Sequence, residues 1–255
     1  FLSSNFAISL PAQTNVALAE EMVIVVNCND PDSLSIGQHY ARQRGIPESR
    51  IVHLTAPIKE TISIAEYANT IANPLLNALL ENEWVIGVKA DSKDVYGRER
   101  LSVSIHSIPF VVLIKGVPLR ITNNPLLIEE SNVNLPMQFR VNNGSVDGEI
   151  ALLLAPPRTS MTALVPNPYF EKSGISPTDS NRLLRVTRLD GPTKANVMNL
   201  IDRTLIAEEI GLMGRAYIDT GGPHAKGDEW IRAAGAIAEG AFFDIDYETS
   251  KRAMD

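Results

Sequence analysis

Seven polar residues stand where short apolar runs end. Asn27 closes the run Met22–Asn27 and Asp30 follows it, and Lys115 follows Pro109–Ile114. Arg188 stands at the end of Leu183–Leu189 and Asp190 follows it, Asp219 closes Arg215–Asp219, and Asp147 heads a short helix-like segment. If the runs are parallel strands, these residues share one edge, because every strand then points the same way and ligands of open α/β sheets bind at the carboxyl ends. Mixed charge at such an edge suits a polar ligand. Three gathered carboxylates would also suit a hard cation such as calcium, which takes oxygen ligands. Each short carboxylate has a second use as a helix cap or turn former, and Arg188 with its acidic neighbours can neutralise itself. Lys115, between an apolar strand and Gly-Val-Pro, is expected to be partly buried, with a carboxylate or carbonyl within reach of its amine. Ligand binding is therefore assigned to Asn27, Asp30, Lys115, Asp147, Arg188, Asp190 and Asp219.

Nucleophilic chemistry has fewer supports. Cys28 is the only cysteine, and a cysteine nucleophile needs a nearby base. The chain has four histidines. His39 falls helical turns away and His53 falls in mid-strand, which leaves His106 and His224, neither within a motif. The reading favours a buried thiol packed as a small hydrophobe, so no catalytic residue is assigned and replacing Cys28 should be harmless. Neither G-x-S-x-G, nor G-x-x-x-x-G-K-[ST], nor G-x-G-x-x-G occurs. Gly221-Gly222 after a strand is a weak anion signal. No cofactor is implied beyond calcium.

The elements that would place these residues alternate. Met22–Asn27 reads as a buried strand, and Asp32-Ser33 as the cap of a helix stopped by Gly45 and Pro47. Arg50–Leu54 is a second strand. Ser63-Ile64-Ala65-Glu66 is a capping box opening a helix that Pro74 should kink or interrupt. Residues 81–108 lose the rhythm, and the charged stretch Lys89–Arg100 reads as a surface excursion. Pro109–Lys115 restores a central strand. Residues 122–145 and 155–181 read as long loops that wall or cover the strand-end crevice, with a short helix over Val146–Leu154 between them. Leu183–Leu189 is a strand. A helix then runs to about Gly211 with Val197, Leu200, Ile201, Leu205 and Ile206 inward. Arg215–Asp219, a helix over Trp230–Ala238 and a strand over Ala241–Ile245 complete the pattern. The fold class is α/β: a mostly parallel sheet of about six strands with helices on both faces. Residues 20–255 read as a single domain.

The 255 residues carry a formal charge of −7, which argues against nucleic acid as the partner. No apolar run reaches the roughly 18 residues of a membrane span. Residues 1–19 lack charge and are rich in small and apolar residues, fitting either the trailing end of an export signal or an extended arm.

Several segments resemble an uncharacterised family of exported bacterial proteins. They are Val25-Val26-Asn27, Tyr40-Ala41 to Arg44-Gly45-Ile46-Pro47, Lys115-Gly116-Val117-Pro118-Leu119-Arg120, and Val186 to Pro192. That resemblance implies a periplasmic or extracellular location and no known activity. The element order is also similar to the first half of gingipain-type, caspase-like cysteine peptidases, with Ser145-Val146-Asp147 and Thr187-Arg188-Leu189 in comparable places. The peptidase dyad is a histidine after one late strand and a cysteine after the next, and Cys28 does not match it. The resemblance thus implies a non-catalytic, caspase-like half of a hydrolase-related protein, with a downstream segment carrying the rest. An exported ligand-binding or scaffold module is the alternative.

Overall fold

The computed structural model describes residues 18–128, 136, 140–155, 183–211 and 214–250. The chain divides into two compact units, Phe1–Met198 and Asn199–Asp255.

The first unit is built on a four-stranded parallel sheet. Its strands are β1 (Met22–Asn27), β2 (Ile51–Leu54), β6 (Phe110–Ile114) and β9 (Arg185–Leu189), in the spatial order β2-β1-β6-β9. Val23 to Val26 and Val111 to Ile114 are all buried, as continuous β-branched runs should be when both faces of a sheet are covered. Helix α1 (Pro31–Arg44) packs on β1 and β6. It approaches so closely at Gly37 that an added Cβ would lie 2.6 Å from Val26 Cγ1. The opposite face, with Val23, Val25, Val111 and Leu113, shares a core with Tyr67, Ile71, Leu75 and Leu79. Those four belong to a continuous helical stretch of α2 (Ile64–Tyr67), a π turn (Ala68–Ala72) and α3 (Asn73–Glu81). Pro74 sits in the first turn of α3, so the interruption its missing N–H demands falls in the π turn just before it.

Three elements differ from the sequence reading. The N-cap of α1 is Asp30, whose side chain accepts from the Asp32 N–H, with Pro31 in the first turn. Residues 81–108 form an antiparallel hairpin of β4 (Val85–Lys89) and β5 (Leu101–His106). A register shift between Ile86 and Gly87 breaks the alternation that would have announced it. Of the expected loop over 122–145, residues 129–135 and 137–139 lie outside the described residues, and its end is a strand: β8 (Gly144–Ser145) pairs with β7 (Arg120–Ile121), which also pairs with β3 (Thr61–Ile62), in a small sheet. Helix α4 (Val146–Ala151) follows. Most of the expected loop over 155–181 lies outside the described residues.

Helix α5 (Lys194–Ile210) runs across the division between the units; its Val197 and Ile201 are buried, whereas Leu200 and Ile206, expected to face inward, are exposed. The second unit contains β10 (Arg215–Asp219) and β11 (Asp244–Glu248), paired in parallel as a sheet of their own, with α6 (Ala225–Gly240) between them. The last strand starts three residues later than the apolar run Ala241-Phe242-Phe243 suggests, because Ala241 and Phe242 form the turn after α6, where Phe242 takes φ 66°. Among the described residues, the strands expected in one parallel sheet of about six are therefore divided between a four-stranded and a two-stranded parallel sheet. Among the described residues, no helix is long and apolar enough to cross a membrane.

Candidate functional site

The order β2-β1-β6-β9 places a topological switch point between β1 and β6. Connections leave these two neighbours in opposite directions, opening a crevice at their carboxyl ends. Three of the predicted residues, Asp30, Lys115 and Asp190, line a half-open depression of about 510 Å³ there, together with Lys59, Glu60 and Gly116.

Asn27 lies beneath this edge, fully buried. Its amide nitrogen donates to Ala56 O at 3.1 Å and Gly116 O at 2.8 Å. Its Oδ1 accepts from the Ala56 N–H at 3.0 Å and the Asn29 N–H at 3.2 Å. Both donors and both lone pairs are thus used, and Asn27 ties three segments together with no valence left for a ligand. Asp30 caps α1 through Oδ1 at 2.9 Å from the Asp32 N–H. Its other oxygen faces Gly116, where an added Cβ would lie 2.5 Å away. Gly116 takes φ +96°, so the turn after β6 needs glycine for conformation as well as for space.

Arg188 is the most heavily bonded side chain of the edge. Its Nη2 and Nε donate to the Asp147 carboxylate at 2.5 to 3.1 Å. Nη1 and Nη2 donate to the carbonyls of Val117 and Pro118 at 2.7 and 3.0 Å. Asp190 Oδ2 stands 3.9 Å from Nη1, while Asp190 Oδ1 accepts from the Gly191 N–H at 2.7 Å. The guanidinium thereby clamps the Lys-Gly-Val-Pro turn to the start of α4, and the arginine half of the crevice is self-neutralised.

Lys115 is different. It is half-buried, its backbone N–H is held by Leu189 O at 2.8 Å, and its amine makes no hydrogen bond or ion pair with any described residue. The expected burial is present and the expected partner is not. Lys59 is already engaged by Glu66 at 2.8 Å, and Glu60 by Arg120 at 3.1 Å. Among the described lysines lining this edge, Lys59 already has an acidic partner and Lys115 has none.

Asp219 belongs to the second unit, at the end of β10, where it accepts from the Gly221 N–H at 3.1 Å. Among the described residues, no three of His, Cys, Asp and Glu gather into a set that could hold a metal ion.

Sequence reasoning missed one pair. Cys28 is exposed, not packed as a small hydrophobe, and its Sγ lies 3.4 Å from His53 Nδ1. The signal was the register. Val26 pairs with His53 across β1 and β2, and period-two alternation carries Cys28 to the same side. Register between strands cannot be read from either strand alone. No family model, curated protein or solved structure matches the chain, so its chemistry stands on these residues.

Proposed function

We propose that the chain is a non-catalytic ligand-binding module, exported from a bacterial cell, whose site is the depression between the ends of β1, β6 and β9. The observation that carries this is the half-buried Lys115 amine, without a described partner, at a switch-point crevice. A desolvated ammonium gains most from an added anion. Asp30 and Asp190, on the same wall, offer acceptors to a donor or cationic group. The ligand class that fits is therefore a small solute of mixed charge, with a carboxylate or similar anion for Lys115 and an ammonium or amide for the aspartates.

Isothermal titration with a panel of zwitterionic dipeptides and citrate tests this. At least one member is expected to bind, and Lys115→Met should weaken it by about tenfold, the worth of one hydrogen bond to a charged group. Binding by no member, or equal binding to the variant, defeats the reading.

Within this proposal, the module is the first half of a caspase-like, hydrolase-related fold. Support comes from the Arg188–Asp147 pair, which joins the two segments that carry the peptidase-like order. Reading the gene beyond residue 255 separates this ancestry from a free-standing scaffold. A strand ended by His-Gly and a later strand ended by Cys would favour the first, and their absence the second.

A further inference from the structure

The Cys28–His53 pair lies on the β2 side of β1, away from Lys115, and the binding proposal makes no use of it. Both residues are exposed. The thiol is held in place by its surroundings, since the Cys28 backbone N–H donates to Leu54 O at 2.7 Å and the neighbouring Asn29 side-chain amide nitrogen to Ala56 O at 2.8 Å. A sulfur 3.4 Å from an imidazole nitrogen can hand over its proton and leave as thiolate, the form that attacks.

What such a thiolate can attack is decided by its surroundings. Acyl transfer builds an oxyanion that needs backbone N–H donors aimed at it. The backbone N–H groups of residues 27–30, which flank the sulfur, are already committed. Asn27 N–H donates to Ser33 Oγ at 3.0 Å, Cys28 N–H to Leu54 O, Asn29 N–H to Asn27 Oδ1 at 3.2 Å, and Asp30 N–H to Asn27 O at 3.0 Å. Thiol–disulfide exchange develops no oxyanion and asks only for an accessible thiolate and a proton carrier.

We propose that Cys28 and His53 form a thiol-exchange site that takes low-molecular-weight disulfides. The Cys28 sulfur attacks one sulfur of the small disulfide, whose S–S bond breaks as the new S–S bond forms. His53 accepts the Cys28 proton and returns it to the leaving thiolate, so one small thiol is released; the Cys28 sulfur is oxidised to the disulfide level, the leaving sulfur is reduced to a thiol, and no external oxidant is needed. Because Cys28 is the only cysteine among these 255 residues, none of them supplies a second thiol to resolve the product. The mixed disulfide persists until an external thiol arrives, which makes the site a reversible S-thiolation site.

The test uses the full chain with glutathione disulfide, read by intact mass, and a symmetrical aromatic disulfide, read by absorbance of the released thiolate. One adduct per chain is expected, absent in Cys28→Ser. His53→Gln should slow adduct formation about tenfold or more at neutral pH, as loss of a positioned base does. Added imidazole should restore part of the rate in His53→Ala. In urea the wild-type and His53→Gln rates should coincide, because the pairing exists only in the fold. Equal rates for folded wild type and His53→Gln would overturn the proposal, as would a wild-type thiol slower than a cysteine peptide. Cys28-dependent turnover of a p-nitrophenyl ester would overturn the exclusion of acyl chemistry.

Discussion

Asn27 and Gly116 show how much of the candidate site is held by residues that cannot themselves bind. Asn27 spends both amide protons and both lone pairs on backbone groups of three segments. Asn27→Asp keeps the shape but turns two donated hydrogen bonds into oxygen–oxygen repulsions against Ala56 O and Gly116 O. A cost of about 2–4 kcal/mol follows for a buried group losing its partners, to be read by urea denaturation. A loss below about 0.5 kcal/mol, the scale of ordinary surface changes, would show that the amide is not the tie described. Gly116→Ala meets two obstacles, a φ of +96° and the Asp30 carboxylate. Thermal unfolding should register about 1–3 kcal/mol, and the depression should lose affinity for any Lys115-dependent ligand. At this scale the sequence was partly legible. It named Asp30, Lys115 and Arg188, because strand ends are visible as the ends of apolar runs. It could not separate Asn27, which is saturated, from Lys115, which is not, since saturation depends on loops from elsewhere in the chain.

Among the elements, the start of α2 closes a reciprocal cap within four residues. Ser63 Oγ accepts from the Glu66 N–H at 3.1 Å, and Glu66 Oε2 accepts from the Ser63 N–H at 2.7 Å. Lys59 adds a third bond to the same carboxylate. The Lys59 hydrogen bond first, then the Ser63 N–H, holds the Glu66 carboxyl down from 4.5 to about 2. Between those values the unfolded chain binds more protons than the folded one, so the contribution of Glu66 is fully present above pH 4.5 and is lost as pH falls through about 2. Wild type should therefore exceed Glu66→Gln in stability at pH 6, with the gap closing as pH falls from 4.5 toward 2. Paired thermal melts at pH 6, 4 and 2.5 check this, and a constant gap would contradict it. The capping box was readable because its partners lie within three residues. The β4–β5 hairpin was not, because its register shift at Ile86/Gly87 scrambles the alternation and charged residues crowd its turn.

For the whole molecule, the alternation of runs made the parallel α/β class legible, but not which sheet each strand joins. The runs that became β9 and β10 have the same length and similar composition, yet β9 pairs with β6 and β10 with β11. That choice is set by helices and connections, which a strand's own residues do not encode. The two sheets also differ in what covers them. In β1 and β6, Val23 to Val26 and Val111 to Ile114 are buried, whereas in β10 only Ile218 is buried and Tyr217 is 63% exposed. A pair of strands has no central member, so each strand keeps one edge without a ladder partner and opens at lower free energy. Amide exchange followed by mass spectrometry should therefore place β1 and β6 in the slowest class and β10 and β11 in a faster one. The same measurement on Val112→Ala, a substitution in the four-stranded sheet, should speed exchange in β1, β2, β6 and β9 together, since those strands share ladders and a core. Protection of β10 equal to that of β1 in the wild type would mean that the two-stranded sheet opens only when the four-stranded one does.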